Sequence, residues 1–428
     1  MPTHATPAQN TSGKTAPAFQ SLARALTDHS VDTLFGLMGD ANLFAVDHYV
    51  RACGGRFVPS AHEGSSVLMA LAYAQVTGKI GVASITHGPA LTNCVTALTE
   101  GARGHIPMVL LAGDTPVANP RHLQSIDQRE VVKSTGAGFE QVRAPETISA
   151  DLARAFYRAR VERRPIVLNI PADFMWQDTL HESRVLNVFD NPNAAAEGDI
   201  LDEAIGMIAS ARRPLILAGG GAIHARDQLI RLADRLEAPL ATTLKAKGLF
   251  NDHPYNMDIF GTLSTPAAYD LIAQSDCILC FGTGLHDFTT DRGHLMRNKR
   301  IIQVDINPTA IGSGVHPDAA LCADAGLTAD IFVHWLNEAE ISPSGFTRDV
   351  DIASLTAHPV GSTTTAEGCI NYVQSLEKLE KALPQNRVLV TDGGRFMTEV
   401  WCRLSVPDPK SFVVTANFGS IGLGIPEA

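Results

Sequence analysis

Strand-like apolar runs alternate with helix-like segments along almost the whole chain, and this pattern restricts the fold more than any other feature. The runs are KIGVASIT (79–86), PMVLLA (107–112), IVLNI (166–170), LILA (215–218), CILCF (277–281) and IIQVDI (301–306). Buried strands of parallel sheets form such continuous runs, and a helix between consecutive strands is typical of sheets covered on both faces. The sequence therefore predicts an α/β fold of doubly wound parallel sheets.

The chain is long enough for several domains. Its 428 residues exceed what one hydrophobic core usually supports, and polar stretches of low periodicity divide it. We predict a disordered tail at 1–16, a first domain at 17–175, a linker at 176–196, a central domain at 197–337, a second linker at 338–365 and the start of a third domain at 366–428. The last stretch has too few elements to cover a sheet, so we expect this domain to be incomplete.

Charge and hydropathy exclude several classes of protein. A formal net charge of -11 argues against a nucleic-acid partner, because proteins that bind the phosphate backbone present basic surfaces. No apolar run reaches the ~20 residues that a membrane-spanning helix needs, and the N-terminus lacks the apolar core of a secretory signal. Seven cysteines without a disulfide framework indicate reduced thiols and a cytoplasmic protein.

Two of the cysteines have the CxxC spacing that is found in metal and redox sites. Cys277 and Cys280 lie in the apolar run DCILCFG, which predicts a buried strand. Residues three apart on a strand point to opposite faces, so the two thiols cannot close on one metal ion. We interpret them as two core cysteines.

A glycine-rich loop, Gly219–Gly221, follows a predicted strand and precedes a helix. The dinucleotide-binding fingerprint requires a further glycine where this chain has His224, so the motif is incomplete. A tight strand-to-helix connection is the simpler interpretation. A nicotinamide-linked dehydrogenase, which would depend on this loop and on Asp305, stays open as an alternative.

Glu63 lies at a strand-to-helix junction, in AHEG, before an apolar helix. A carboxylate there is favoured by the partial positive charge of the helix N-terminus, without any catalytic role. On these grounds alone the structural interpretation is preferred to a catalytic one.

Several stretches in a fixed order resemble the acetolactate synthase family of thiamine-diphosphate enzymes. Between Val31 and Phe174 the stretches LFGLMGDANLF, AHEGSSVLMALAYAQVTGKIGVASITHGPALTNCVTAL, IPMVLLAGDTP and RRPIVLNIPADF resemble the pyrimidine-binding domain. RPLILAGGGAIHARDQLIRLADRLEAPLATTLKAKGLFNDHP and IIQVDINPTAIG are similar to the central domain, and VLVTDGGRFMTEVW and ANFGSIGLGIPEA to the opening of the diphosphate-binding domain. Their joint order is highly specific and covers nearly the whole chain beyond the tail. The resemblance implies three doubly wound domains, the third incomplete, and thiamine diphosphate as the cofactor.

The resemblance implies catalytic roles for two residues. Glu63 matches the glutamate that contacts the ring nitrogen of the aminopyrimidine, where a shared proton turns the amino group into the base that activates the thiazolium carbon. Gln124, in HLQSID, matches a glutamine near the reacting carbon, although its neighbours have drifted.

Five further residues match positions that bind the cofactor in the family. Ile421 matches the aliphatic wedge that holds the cofactor bent, and the Gly419 carbonyl matches the acceptor for its amino group. Pro89 and Asn93 match the turn that lines the pyrimidine pocket, and Gly39 matches the loop that faces the thiazolium ring.

One departure from the family adds a third catalytic candidate. Acetolactate synthases usually have a serine before Gly-Pro where this chain has His87. Benzoylformate decarboxylase places a histidine in a comparable turn, where it moves protons on the intermediate, and a side chain that titrates near neutral pH suits that task. A hydrogen-bonded structural histidine is an equally good interpretation.

Other departures concern FAD, which acetolactate synthases also bind. The stretch from Gly282 to Phe288 lacks the arginines that help to hold FAD, and the second glycine of the loop near Gly39 is replaced by Asp40. We therefore doubt that FAD is bound, and we expect a relative with another acceptor or substrate.

The family holds Mg²⁺ through a Gly-Asp-Gly motif and a downstream asparagine. The motif follows the stretch that matches GLGIPEA, and the sequence given ends at Ala428. The look-alike Asp392-Gly393-Gly394 lies upstream. We therefore assign no metal ligand, and we expect the chain as given to be inactive.

The implied activity is the decarboxylation and carboligation of a small 2-oxo acid, which would make the protein a transferase or a lyase. Members of the family build each active site between the first domain of one subunit and the third domain of another, so a homodimer or homotetramer is implied. Besides the dehydrogenase, two alternatives stay open: a 2-oxo acid decarboxylase similar to benzoylformate decarboxylase, and a non-catalytic product, either a truncated fragment or a pseudoenzyme.

Overall fold

The structure, a computed structural model, describes residues 15–186, 194–359 and 365–428. Most of the predicted tail and parts of both predicted linkers lie outside the described residues. The chain divides into two compact units: unit 1 takes in Met1–Val188 and Val413–Ala428, and unit 2 takes in Phe189–Phe412. The domain boundaries given from the sequence stay predictions.

The strands and helices have the following bounds. The strands are β1 (Ala16–Pro17), β2 (Thr33–Gly36), β3 (Arg56–Pro59), β4 (Gly81–Ile85), β5 (Met108–Asp114), β6 (Gly138–Gln141), β7 (Pro165–Pro171), β8 (Asp178–Thr179), β9 (Pro214–Ala218), β10 (Leu240–Thr242), β11 (Asn256–Ile259), β12 (Cys277–Phe281), β13 (Arg300–Asp305), β14 (Ala319–Cys322), β15 (Leu389–Thr391) and β16 (Phe412–Val414). The helices are α1 (Ala18–Asp28), α2 (Leu43–Arg51), α3 (Glu63–Thr77), α4 (Pro89–Thr92), α5 (Val95–Gly104), α6 (Gln128–Thr135), α7 (Ile148–Glu162), α8 (Asp199–Ala209), α9 (Arg226–Leu236), α10 (Pro266–Gln274), α11 (Asp287–Thr290), α12 (Ala325–Glu338), α13 (Ile352–Leu355), α14 (Tyr372–Ala382), α15 (Thr398–Arg403) and α16 (Gly424–Glu427).

Unit 1 is built on a six-stranded sheet with the order β3-β2-β4-β5-β7-β6. All its strands are parallel. The runs predicted as strands at 79–86, 107–112 and 166–170 are β4, β5 and β7, which confirms them. Side chains that alternate along β5 enter two different apolar cores, Val109 and Leu111 on one face and Leu110 on the other. The sheet is therefore covered on both faces, as its continuous apolar strands predict.

Unit 2 contains a second six-stranded parallel sheet, with the order β11-β10-β9-β12-β13-β14. Its β12 has the bounds predicted from the sequence, and all its residues are buried. Cys277 belongs to the apolar core on one face, and Cys280 belongs to the core on the other. The interpretation of the CxxC spacing as two core cysteines is confirmed.

Thiol labelling tests this placement. Burial raises the pKa of the Cys277 thiol to about 12 and also raises that of Cys280, so neither forms much thiolate at neutral pH. We expect iodoacetamide to modify the exposed Cys322 and Cys369 in the native protein, and to reach Cys277 and Cys280 only after unfolding. Peptide mass spectrometry gives the order in which the cysteines are modified. Rapid labelling of Cys280 in the native protein would contradict its placement in a buried strand.

The glycines after β9 are explained by close packing between two loops. A Cβ atom on Gly219 would lie 2.2 Å from the carbonyl oxygen of Gly282. A Cβ atom on Gly221 would lie 2.9 Å from the Cα atom of Gly282. His224, in the position of the missing fingerprint glycine, contacts Asp324 through its Nε2 atom at 2.9 Å. The loop is thus a tight strand-to-helix connection.

The stretch 366–428, predicted to be the start of a third domain, contains few strands. Within the described residues 365–428 the strands are β15 and β16 alone. The α/β class with parallel sheets is confirmed, and the third sheet is incomplete in this chain. Across the described ranges, no helix has the length and apolar character that crossing a bilayer would need.

Candidate active site

The strand order of unit 1 creates a crevice at the carboxyl ends of β2 and β4. Strand β2 lies between β3 on one side and β4 on the other, so the chain reverses its direction of winding there. Open α/β sheets bind their ligands at such a switch point. The predicted site residues Gly39 and His87 follow β2 and β4.

The loop after β2 packs directly on the end of β4. The Gly39 amide donates a hydrogen bond to Asn42 Oδ1 at 2.7 Å, and the Asn42 amide group donates to Ser84 Oγ at 3.0 Å. A Cβ atom on Gly39 would lie 2.7 Å from the Cβ atom of Thr86. A glycine is needed here because the two loops approach too closely for a side chain.

The turn after β4 brings the predicted Gln124 to the same crevice. Gly88 has a φ of +60° and a ψ of -109°, which a residue with a side chain avoids. A Cβ atom on Gly88 would lie 2.2 Å from the backbone oxygen of Gln124. The Gly88 amide donates to Gln128 Oε1 at 2.8 Å. The turn and the Gln124 loop are therefore pressed together.

Gln128 is a contributor that the sequence analysis missed. Its side chain is 3% exposed, and its amide group donates to the Gly113 carbonyl at 2.9 Å and to Asn169 Oδ1. The Asn169 amide group in turn donates to Asp114 Oδ2 at 2.6 Å and to Gln141 Oε1 at 2.9 Å. This network ties the Gly88 turn to the ends of β5, β6 and β7. A single glutamine at a helix start gives no sequence pattern that could have revealed it.

Glu63 begins α3, and the structure pairs it with another predicted residue. The Asn93 amide group donates to Glu63 Oε2 at 2.9 Å. The preceding His62 caps the helix, because its Nδ1 atom accepts from the Gly64 amide at 3.1 Å. Pro89 is the first residue of α4, a position that proline favours. Glu63 is only partly buried, so its carboxylate can be reached by a ligand.

His87 is enclosed beside a second histidine. It is 4% exposed, and its ring centre lies 5.2 Å from that of His122, with an angle of 62° between the rings. Within the described part of the chain its Nδ1 atom is buried without a hydrogen-bond partner. The Nδ1 atom of His122 accepts a hydrogen bond from the backbone amide of Gln124 at 3.2 Å. A buried polar atom without a partner is costly, so this nitrogen is available to a ligand or to a water molecule.

Gly419 and Ile421, the two residues near the C-terminus that were predicted to contact the cofactor, belong to unit 1 like the other predicted site residues. Gly419 has a φ of +78°, and no atom lies within 4 Å of a Cβ built on it. Ile421 is 66% exposed. Both are presented to solvent on a loop after β16, and their predicted contacts with a cofactor stay predictions. Within the described ranges no group of three or more His, Cys, Asp or Glu residues is arranged to hold a metal ion.

Two family models match the chain. "Thiamine pyrophosphate enzyme, N-terminal TPP binding domain" matches residues 17–131, which contain the predicted site residues from Gly39 to Gln124. "Thiamine pyrophosphate enzyme, central domain" matches residues 201–331. The second match covers the Gly219–Gly221 loop and Asp305, and it disfavours the dehydrogenase interpretation.

Curated relatives with different activities align over much of the chain. A sulfoacetaldehyde acetyltransferase from Rhodobacter capsulatus is 32% identical over 322 residues, which are 72% of this chain and 54% of that protein. The Pseudomonas aeruginosa protein named "Probable 2-ketoarginine decarboxylase AruI" is 28% identical over 96% of this chain and 74% of its own length. An acetolactate synthase from Mycobacterium leprae is 28% identical over 96% of this chain and 67% of its own length. The chain thus spans about half the length of the first of these relatives.

Proposed function

Because the chain belongs to the thiamine pyrophosphate-dependent enzymes, we propose that it binds thiamine diphosphate in unit 1 and acts on a small 2-oxo acid. The proposed reaction is decarboxylation followed by carboligation, as in acetolactate synthases. The observation that carries the proposal is the Glu63–Asn93 pair, at 2.9 Å, beside the turn after β4. A carboxylate in this crevice supports the proposal, because the family's chemistry uses one to activate the cofactor.

The residues present fit the cofactor. The crevice offers a partly exposed carboxylate at Glu63 and, within the described residues, a buried Nδ1 atom of His87 that has no hydrogen-bond partner. When bound, thiamine diphosphate supplies a nucleophilic carbon and an electron sink for decarboxylation. Asn93 holds Glu63 Oε2, so Oε1 can give a proton to a ring nitrogen and take it back.

Gln124 and His87 are proposed to act on the substrate. The Gln124 amide group can donate a hydrogen bond to a substrate carboxylate, and His87 can move a proton at the reacting carbon. A decarboxylase similar to benzoylformate decarboxylase is the second candidate. The buried Nδ1 atom of His87, which has no hydrogen-bond partner among the described residues, favours it, because a buried imidazole nitrogen of this kind can contact a bound substrate.

We also propose that the protein assembles as a homodimer or homotetramer and uses Mg²⁺ with the diphosphate. An exposed aromatic group on unit 1 supports assembly. The Phe44 and Trp176 rings lie 4.4 Å apart and are 43% and 55% exposed. Large contiguous apolar patches are typical of association surfaces, and these two rings would contribute to one. Analytical ultracentrifugation of the protein should give a species of at least two chains.

Turnover tests the proposed reaction. The protein expressed from its whole reading frame is incubated with thiamine diphosphate, Mg²⁺ and either pyruvate or benzoylformate, and released carbon dioxide is measured. Carbon dioxide that depends on the cofactor, together with a carboligation product from pyruvate, supports the first candidate. Turnover of benzoylformate without a carboligation product supports the second. No cofactor-dependent release from either acid would contradict both.

We expect the protein to hold FAD weakly or not at all. Gly284 and Phe288 stand where charged side chains would be needed, and Phe288 is 51% exposed. Charge-assisted hydrogen bonds to a phosphate are about twice as strong as neutral ones, so their loss weakens binding. The absorption spectrum after gel filtration with added FAD reads the outcome. A protein that keeps one flavin per chain would contradict this expectation.

A further inference from the structure

A buried carboxylate on α5 holds the backbone of the chain after β16. Glu100 is 1% exposed. Its Oε1 atom accepts from the Asn417 amide at 2.9 Å and from Asn417 Nδ2 at 2.6 Å, and its Oε2 atom accepts from the Phe418 amide at 2.7 Å. Burying a carboxylate is costly unless hydrogen-bond donors surround it, and short bonds of this kind are the strong ones.

A second group of contacts fixes the rest of the same segment. The Arg103 guanidinium lies over the Phe418 ring, 4.8 Å from its centre, which is a cation–π contact. Leu423 packs against the apolar core that α3 and α5 share, and α16 lies on α3. The segment 417–428 is therefore held at both ends, and the Gly419–Gly422 loop between them faces solvent.

We propose that Glu100 is a positioning residue that anchors the segment 417–428 on α3 and α5. By fixing the two residues before Gly419, it sets where the Gly419 carbonyl and the Ile421 side chain are presented. The anchoring itself stands on the contacts of Glu100. Its consequence for cofactor binding rests on the proposed function.

Hydrogen exchange at the amides that Glu100 accepts from is the direct test. Glu100→Gln keeps the volume of the side chain but replaces one acceptor oxygen by an NH2 group that faces a donor. Leaving a buried donor unpaired costs enough to expect exchange at Asn417 and Phe418 to accelerate on the order of ten- to a hundredfold. Amides of β5 should keep their protection. The matched control is Glu130→Gln on α6, whose side chain is 61% exposed, and it should leave the segment unchanged.

A second variant keeps the test decisive if Glu100→Gln does not fold. Asn417→Ala removes one of the three bonds and leaves Glu100 with two donors. We expect a smaller acceleration of exchange at Phe418, below about tenfold, because Glu100 keeps two of its three hydrogen bonds. Unchanged exchange of the segment in every folded variant would overturn the anchor.

The affinity for thiamine diphosphate distinguishes the anchoring of the segment 417–428 from the effect of that anchoring on cofactor binding. We expect Glu100→Gln to weaken cofactor binding at least tenfold, while the substrate KM at saturating cofactor stays close to that of the wild type. Faster exchange with unchanged cofactor affinity would overturn the positioning role. A wild-type protein that binds no cofactor would contradict the proposed function instead, and the exchange result would still decide the anchor.

Discussion

Replacing Glu63 by Gln should slow cofactor-dependent turnover by about 10²- to 10⁴-fold, the range in which a positioned acid or base contributes. Glutamine keeps the length of the side chain, and its amide oxygen can still accept the hydrogen bond from Asn93. It cannot give a proton to a ring nitrogen, since an amide does not ionise at working pH. The loss should therefore appear in kcat, with substrate KM changed much less.

The rate of deuterium exchange at the thiazolium carbon of added thiamine diphosphate, followed by NMR, isolates this step from the later chemistry. Glu130→Gln is the matched control, because it makes the same chemical change at an exposed site of the same unit. A Glu63→Gln variant that keeps more than about a tenth of the wild-type rate has lost less than about 1.4 kcal/mol of barrier stabilisation. That result would remove Glu63 from the catalytic role.

Replacing Gly88 by Ala should lower the free energy of unfolding by about 2–5 kcal/mol. Part of this cost is backbone strain at the Gly88 dihedral angles, about 1–3 kcal/mol. The rest is overpacking, since the new methyl group would lie 2.2 Å from the Gln124 oxygen. The turn that carries His87 and the loop that carries Gln124 must then separate, so cofactor-dependent activity should fall as well.

Gly78→Ala is the matched control for this prediction. Gly78 also has a positive φ, +73°, but no atom lies within 4 Å of a Cβ built there. Its substitution should cost only the left-handed strain, about 1–2 kcal/mol. Urea unfolding of both variants measures the difference. Equal losses would show that the turn and the Gln124 loop are not in contact.

The sheets could be predicted from sequence because their strands are buried on both faces. The apolar runs of β4, β5, β7 and β12 stand out from the helices between them without any tertiary information. The fate of Cys277 and Cys280 followed from the same pattern, because alternation along a strand is local geometry.

The contacts that complete the candidate site could not be predicted in this way. Glu63 and Asn93 were identified separately through the family resemblance, and only the fold shows that they are hydrogen-bonded. Glu100 and Asn417 are 317 positions apart, and nothing local marks either residue. Gln128 was missed for the same reason. The role of a buried polar side chain depends on its hydrogen-bond partners. Because these partners come from distant strands and loops, the local sequence does not reveal them.

Hydrogen exchange of the protein expressed from its whole reading frame, with and without thiamine diphosphate and Mg²⁺, locates the bound cofactor without requiring turnover. We expect the cofactor to slow exchange in the loop around Gly39, in the first turn of α3 around Glu63 and in the turn from His87 to Asn93. Protection confined to the Gly219–Gly221 loop of unit 2, or no change anywhere at millimolar cofactor, would show that thiamine diphosphate does not bind at the crevice of unit 1.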